Sequence, residues 1–269
     1  MSTSTKIVMQ LIDYLSYRRE CGQKRIEIEP QTRRLLLELS RGGAPHRPAT
    51  PVTKAAVQAP VSVPRPGTNE PPEDVLARTA AAIEGCKRCG LHAGRQKVVP
   101  GQGNCHRPDV MFIGEAPGAD EDRQGLAFVG RAGQLLTKMI AAMGYRREEV
   151  FIANICKCRP PGNRAPTPEE MKACLPFLEE QISVIRPRTI VAMGNVAVTG
   201  LLGISGITRL RGQWTQFAGI PLLPIFHPAY LLRFPQTKRL AWDDLKKVLR
   251  KLGKPIPKPA KTAPSNPQR

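Results

Sequence analysis

The chain has 269 residues, 41% of them apolar, with 41 Lys and Arg against 22 Asp and Glu, for a formal net charge of +19. That length supports a full α/β domain with extensions, and the apolar share excludes a wholly disordered chain. No stretch approaches the roughly 18 apolar residues of a transmembrane helix, and the opening residues lack the apolar core and cleavage site of a secretory signal. The sequence therefore reads as a cytoplasmic protein with no membrane association.

Residues 5–20 place Ile7, Leu11, Tyr14 and Leu15 at helical spacing, and 26–40 read as an extended piece followed by a helix after Pro30. Together 1–40 form an expected N-terminal helical extension. Residues 41–73 hold eight prolines and no Phe, Trp or Tyr. Such a segment buries too little apolar surface to offset its ordering entropy, so it is expected to be a disordered linker. The pattern then changes over 74–252. The short apolar runs 109–114, 150–155, 189–194 and 222–226 read as buried strands. Helical patterns follow at 130–143, 168–185, 194–202 and 239–251. Thr167, Pro168 and Glu170 supply an N-cap, a first-turn proline and a capping box for the second of these. Strands alternating with helices predict a three-layer α/β/α sandwich around a mainly parallel four-stranded sheet. Residues 253–269 are Pro-rich and purely basic, an expected disordered tail carrying Lys254, Lys258, Lys261 and Arg269.

Residues 74–252 carry 26 basic and 15 acidic side chains. An excess of that size draws anions and fits a polyanion such as nucleic acid.

The seven cysteines are an odd count with no secretory signal, which argues against a disulfide framework. Cys86 and Cys89 form a C-x2-C pair, and Cys158 and Cys174 follow. Four thiolates in this arrangement can hold zinc or a [4Fe–4S] cluster, and the spacing does not choose between them. Cys156 competes with Cys158 for one ligand position. Its place at the end of an apolar strand marks it as buried filler, and Cys21 and Cys105 have no partner at ligand spacing.

In a parallel sheet, ligands bind beyond the carboxyl ends of the strands. The first strand exits into GEAPGADED, which brings Gly114, Glu115, Ala116, Asp120, Glu121 and Asp122 to the mouth of the sheet. Phe128 sits between glycines ahead of a helix, as core or as a stacking platform. Asn154 ends the second strand, where an amide can offer a donor and an acceptor to a base edge. The turn CRPPGNR supplies Arg159, Asn163 and Arg164. His227 follows the last strand and opens HPAYLLR, read as a loop whose Tyr230 and Leu231 can wedge into a duplex. Arg211 and Arg233 flank it as phosphate contacts.

GEAPGADED, GLAFVGRAGQLL, NICKCRPPGNRAPTPEE, HPAYLLR and KRLAWDDLKKV occur in that order. Over residues 76–252 the chain resembles the family 4 uracil-DNA glycosylases, the iron–sulfur branch of that superfamily. The cross-linking branch differs in carrying GEQPG and a basic insertion before its histidine. The resemblance implies a [4Fe–4S] cluster on Cys86, Cys89, Cys158 and Cys174. It also implies hydrolysis of the N-glycosidic bond of deoxyuridine in single- or double-stranded DNA, by a monomer. Phe128 would stack on the flipped base with Gly114 and Ala116 beside it, and Asn154 would read its edge. His227 would bond the uracil carbonyl, and a carboxylate, Glu121 first and Glu115 second, would position water. The rival reading is a non-catalytic DNA-binding iron–sulfur protein on the same fold.

Overall fold

The structure, a computed structural model, describes residues 70–257. The expected N-terminal helices, most of the linker, Cys21 and residues 258–269 of the tail lie outside the described residues. Six strands form one sheet: β1 (Gln102–Gly103), β2 (Val110–Gly114), β3 (Phe151–Asn154), β4 (Thr189–Met193), β5 (Thr215–Phe217) and β6 (Ile220–Ile225). Their order is β1-β3-β2-β4-β6-β5. The central four are parallel and are the four runs expected from the sequence. The two-residue β1 and three-residue β5 add antiparallel edges, too short to carry an alternating signal of their own.

β2, β3 and β4 are buried at every position, because both faces of the sheet are covered. Met111, Ile113, Ala153, Ile190 and Ala192 face one layer. That layer contains helices α1 (Pro72–Glu84), α4 (Pro168–Ile185) and α5 (Gly194–Leu202). Val110, Phe112, Ile152, Val191 and Leu223 face the opposite layer, which contains α3 (Arg131–Ala142) and α8 (Lys238–Leu252). The period-two alternation of Cβ directions sends successive residues of one strand into separate cores. Three short helices complete the chain: α2 (Ala119–Gln124), α6 (Ile207–Leu210) and α7 (Pro228–Arg233).

Local signals set most helix starts. In α4, Thr167 Oγ1 accepts from the Glu170 amide at 3.2 Å and Glu170 Oε2 accepts from the Thr167 amide at 2.8 Å, the expected capping box. α1 begins at Pro72, inside the expected linker. Pro72 occupies the first turn, Glu73 and Asp74 complement the helix dipole, and Val75, Thr79 and Ile83 are buried on one stripe. Thr79 Oγ1 donates to Glu180 on α4 at 2.9 Å. At the other end, Lys254 is not part of a free tail. Its ammonium pairs with Asp109 at 3.1 Å and lies over the Tyr145 ring.

HPAYLLR also departs from expectation. It is helix α7, capped by the His227 side chain. Leu231 is 1% exposed and packs with Phe226 and Ala241, while Tyr230 stacks between Phe226 and Phe234 at 4.8 and 4.7 Å. The apolar groups read as a duplex wedge form a small core instead.

Candidate active site and four-cysteine centre

Parallel pairing of β2 with β3 sets Gly114 beside Asn154 at the carboxyl end of the sheet. The pairing of β4 with β6 ends at Met193 and Ile225, which brings Gly194 against His227. A Cβ at Gly194 would lie 2.9 Å from that of His227. Phe128 completes the group, its ring centroid 5.7 Å from the His227 ring. Gly114 leaves the space in which the phenyl ring and the Asn154 amide meet: a Cβ there would lie 2.4 Å from each. Ala116 is partly buried against the core below. Gly114, Phe128, Asn154 and His227, four residues singled out in the sequence, are thus brought together.

Phe128 is held in this position with a left-handed backbone, φ +52°. Its neighbours are pinned. The Ala127 amide donates to Gln102 Oε1 and the Ala127 carbonyl accepts from Arg147. The Val129 and Gly130 amides both donate to Glu121 Oε1, at 2.9 and 2.8 Å. Gly133 lets the first turn of α3 run beneath the Phe128 carbonyl, where a Cβ would collide at 1.9 Å.

Asn154 is 1% exposed, and its Oδ1 has no hydrogen-bond partner. Leaving a buried acceptor unmade costs about 1–3 kcal/mol. His227 Nδ1 accepts from the Ala229 amide at 3.2 Å. In a neutral ring the proton must then sit on Nε2. Burial, aided by the charge of Arg233, holds the ring neutral by lowering its pKa to about 4.

The two carboxylates at the mouth divide differently from expectation. Glu121 accepts three backbone amides, the third from Gly118 at 3.1 Å. It fastens the β2 exit loop to the Phe128 loop, and its lone pairs are engaged there. Glu115 is partly buried, and burial pushes its carboxyl up to about 7 against the pull of Arg233. One arginine thus acts electrostatically on both Glu115 and His227. Arg159 donates to Asn163 Oδ1 at 2.8 Å on the exposed surface. Arg164 and Arg211, expected at phosphates, are each paired with a carboxylate, Arg164 at the surface and Arg211 against the interior. Arg164 grips both oxygens of Glu170 at 2.8 and 2.6 Å. Arg211 pairs with buried Asp244 at 2.7 Å and donates to the Leu240 carbonyl.

Cys86, Cys89, Cys158 and Cys174 line one small cavity with Ile83, Arg88, Arg95 and Phe177. Arg95 donates to the Cys158 sulfur at 3.3 Å, and the Lys157 amide donates to the Cys174 sulfur at 3.2 Å. Such N–H···S bonds suit thiolates. Cys156 does not line the cavity. Its thiol is pushed up by its hydrogen bond to Cys174, and Cys174 is drawn down by the same bond. Cys158, not Cys156, faces the cavity shared with Cys86, Cys89 and Cys174. Among the described residues, only Glu73, Cys105 and His106 gather donor atoms within 4.8 Å of one another. Four sulfurs around one cavity, two of them accepting N–H bonds, are a donor set that fits a thiolate-bound metal centre.

Lys157 went unnoticed in the sequence. It is fully buried at 0% exposure, with Nζ donating to the Asn154 carbonyl at 3.0 Å and to Gln181 Oε1 at 2.7 Å. Burial lowers its pKa to about 8, and the charges of Cys174 and Cys156 act to raise it. The hidden signal was its position between two cysteines at the end of a buried strand.

Residues 100–246 match the family described as the uracil DNA glycosylase superfamily. The chain is 42% identical over 181 residues to a type-4 uracil-DNA glycosylase of Thermotoga maritima, covering 65% of this chain and 94% of the relative. It is 41% identical to that of Archaeoglobus fulgidus, covering 65% and 92%, and 44% identical to that of Pyrobaculum aerophilum, covering 63% and 91%. No helix among the described residues is long and apolar enough to cross a membrane.

Proposed function

The chain belongs to the uracil-DNA glycosylase superfamily and, within it, to type 4, and we propose that it flips uracil out of DNA and hydrolyses its N-glycosidic bond, leaving an abasic site. The observation that carries this reading is the orphan Oδ1 of Asn154 beside the Phe128 ring. Uracil presents an N3–H donor to that oxygen and its O4 acceptor to the amide NH2. Cytosine presents an acceptor at N3 and a donor at N4, the reverse pattern, and leaves Oδ1 unpaired. A site built around a buried polar group rejects the analogue that cannot satisfy it.

Cleavage builds positive charge on the deoxyribose and negative charge on the departing uracil. Phe128 stacks on the extruded base. Neutral His227 directs Nε2–H at the uracil O2, a preorganised donor toward developing charge, worth about 10²–10³ in rate by comparison with oxyanion donors. Glu115, ionised, orients water toward C1′ and opposes the charge on the sugar. Glu121 keeps Phe128 in place. Arg159, Asn163 and Arg233 serve as phosphate contacts in this reading. Arg164, part-exposed beside its ion pair, joins them, while Arg211 is engaged by buried Asp244.

Cys86, Cys89, Cys158 and Cys174 would hold a [4Fe–4S] cluster. Base hydrolysis moves no electrons, so the group would supply a rigid tie between α1, α4 and the strand that carries Asn154. A non-catalytic DNA-binding role is disfavoured by a complete set of base-reading and charge-stabilising groups.

The test is release of uracil from a labelled oligonucleotide, read by alkaline cleavage at abasic sites. Wild type is expected to cleave at uracil and not at cytosine. Asn154→Ala and His227→Ala are expected to lose about 10²-fold or more with the fold retained. Wild-type turnover in both variants would remove these residues from the site. Iron and acid-labile sulfide should survive Cys156→Ser and be lost in Cys158→Ser.

A further inference from the structure

Cys105 has no partner at ligand spacing in the sequence, yet the fold gives it two. The first turn of α1 and the loop after β1 bring Glu73, Cys105 and His106 together, with one donor atom of each within 4.8 Å of the others. Glu73 Oε2 and His106 Nε2 stand 3.8 Å apart. The loop is tied to the sheet: the Asn104 amide donates to the Val150 carbonyl at 3.0 Å, and the His106 amide donates to Asn104 Oδ1 at 2.8 Å. Cys105 is partly buried and packs against the core layer that holds α1. Glu73 and His106 are exposed and open to ions from solvent.

The group is separate from the four-cysteine cavity. Glu73 lies in the first turn of α1 and Cys86 just beyond its last, and a helix of 13 residues is about 20 Å long. None of the three residues lines that cavity.

A thiolate, an imidazole and a carboxylate are donors that zinc accepts together, at about 2.3, 2.0–2.1 and 2.0–2.2 Å. A tetrahedron with such bonds has mixed edges of about 3.4–3.6 Å, so the Glu73–His106 pair is already near its bound separation. The remaining closure falls to two exposed side chains that are free to rotate. Calcium and magnesium take oxygen donors and gain nothing from the sulfur or the ring. One thiolate and one carboxylate cancel the charge of a divalent ion, which suits a half-buried position where net charge is costly.

We propose that Glu73, Cys105 and His106 form a zinc site, completed by water, that clips the start of α1 to the edge of the sheet. The Cys105 thiol gives its proton to solvent as the metal binds. The clip needs neither the base pocket nor an iron–sulfur centre.

The experiment adds zinc chloride to the full-length protein as purified and removes loose metal by gel filtration. Zinc and iron per chain are then measured in wild type, Cys105→Ala, His106→Ala and Glu73→Ala. Wild type is expected to hold one zinc per chain more than each variant, with equal iron and equal uracil release in all four. Calorimetric titration with zinc is expected to show affinity lower by at least about 10²-fold in each variant, since even outer-shell partners of a metal are worth up to that much. Saturating zinc should raise the thermal midpoint of wild type by about a few degrees and leave the variants unmoved. It should also slow alkylation of Cys105, read on its own peptide by mass spectrometry. Equal zinc uptake by wild type and the three variants overturns the proposal, and so does unslowed alkylation of Cys105. Should Cys105→Ala not fold, the variants at exposed Glu73 and His106 decide the question. Zinc taken up by the four-cysteine cavity adds equally to every protein, so the difference between wild type and variants still decides.

Discussion

Adding one methyl group at Gly114 tests the pocket without removing any polar atom. Its backbone lies outside the left-handed region, so alanine is acceptable to the chain itself. The new Cβ would stand 2.4 Å from Phe128 Cζ, 2.7 Å from Phe128 Cε2 and 2.4 Å from Asn154 Oδ1. Carbon atoms settle at about 3.5–4.0 Å, so the ring must retreat by about 1 Å or the strand must move. The strand is paired on both sides, by β3 and by β4. The backbone of the Phe128 loop is fixed by the bonds at 127, 129 and 130, which leaves the ring free to turn. The easier displacement is that of the phenyl and amide groups, away from the base. A misplacement of about 1 Å can cost 10²-fold in rate, which is about 2.7 kcal/mol of transition-state binding. Single-turnover excision from a uracil oligonucleotide should therefore fall by about 10²-fold in Gly114→Ala, while the thermal midpoint falls by only a few degrees, as expected for about 1 kcal/mol. Wild-type excision by a folded Gly114→Ala protein would refute the packing argument and the assignment of this space to the base.

Glu115 should govern the pH profile. A carboxyl with its pKa raised to about 7 is neutral below that value, so kcat/KM should climb with pH through about 7 if the carboxylate is the working form, and Glu115→Gln should lower and flatten the curve. The same raised pKa means that this group contributes stability below its unfolded value, and that the contribution is lost as pH rises through 7. Removing Arg211 should expose its internal role. Arg211→Met leaves Asp244, 1% exposed, without its cation at a cost of about 3–5 kcal/mol, to be read from denaturant unfolding. DNA affinity at fixed salt should hold, and a loss of affinity with full stability would restore Arg211 to the DNA surface.

The central strands were legible because each is a continuous apolar run closed by glycine or a polar residue, the pattern of a sheet covered on both faces. The helix at 168 was legible to the residue, since a threonine, a proline and a glutamate mark its start. What the sequence hid were contacts made at a distance. Glu121 and Glu115 look alike in a row of acids, and only the fold shows three amides converging on one and burial acting on the other. Arg211 counts as surface charge until buried Asp244 is found beside it. Leu231 and Tyr230 read as exposed because a six-residue helix is too short to show a period, and Phe226, Phe234 and Ala241, which cover them, are recognisable as partners only in three dimensions. Lys157 looked like one more basic residue in a basic protein.

The left-handed backbone of Phe128 sets a limit on how this protein can be improved. A non-glycine residue at such a φ carries strain of about 1 kcal/mol or more, and the loop keeps it because the ring must face the base. Glycine at 128 would release that strain and remove the platform in the same step. The phenyl is also buried in the core, and losing it costs about 3–5 kcal/mol, more than the strain released. Stability and site geometry both hold the ring, so the 125–130 loop is a place to leave unchanged while stability is sought elsewhere.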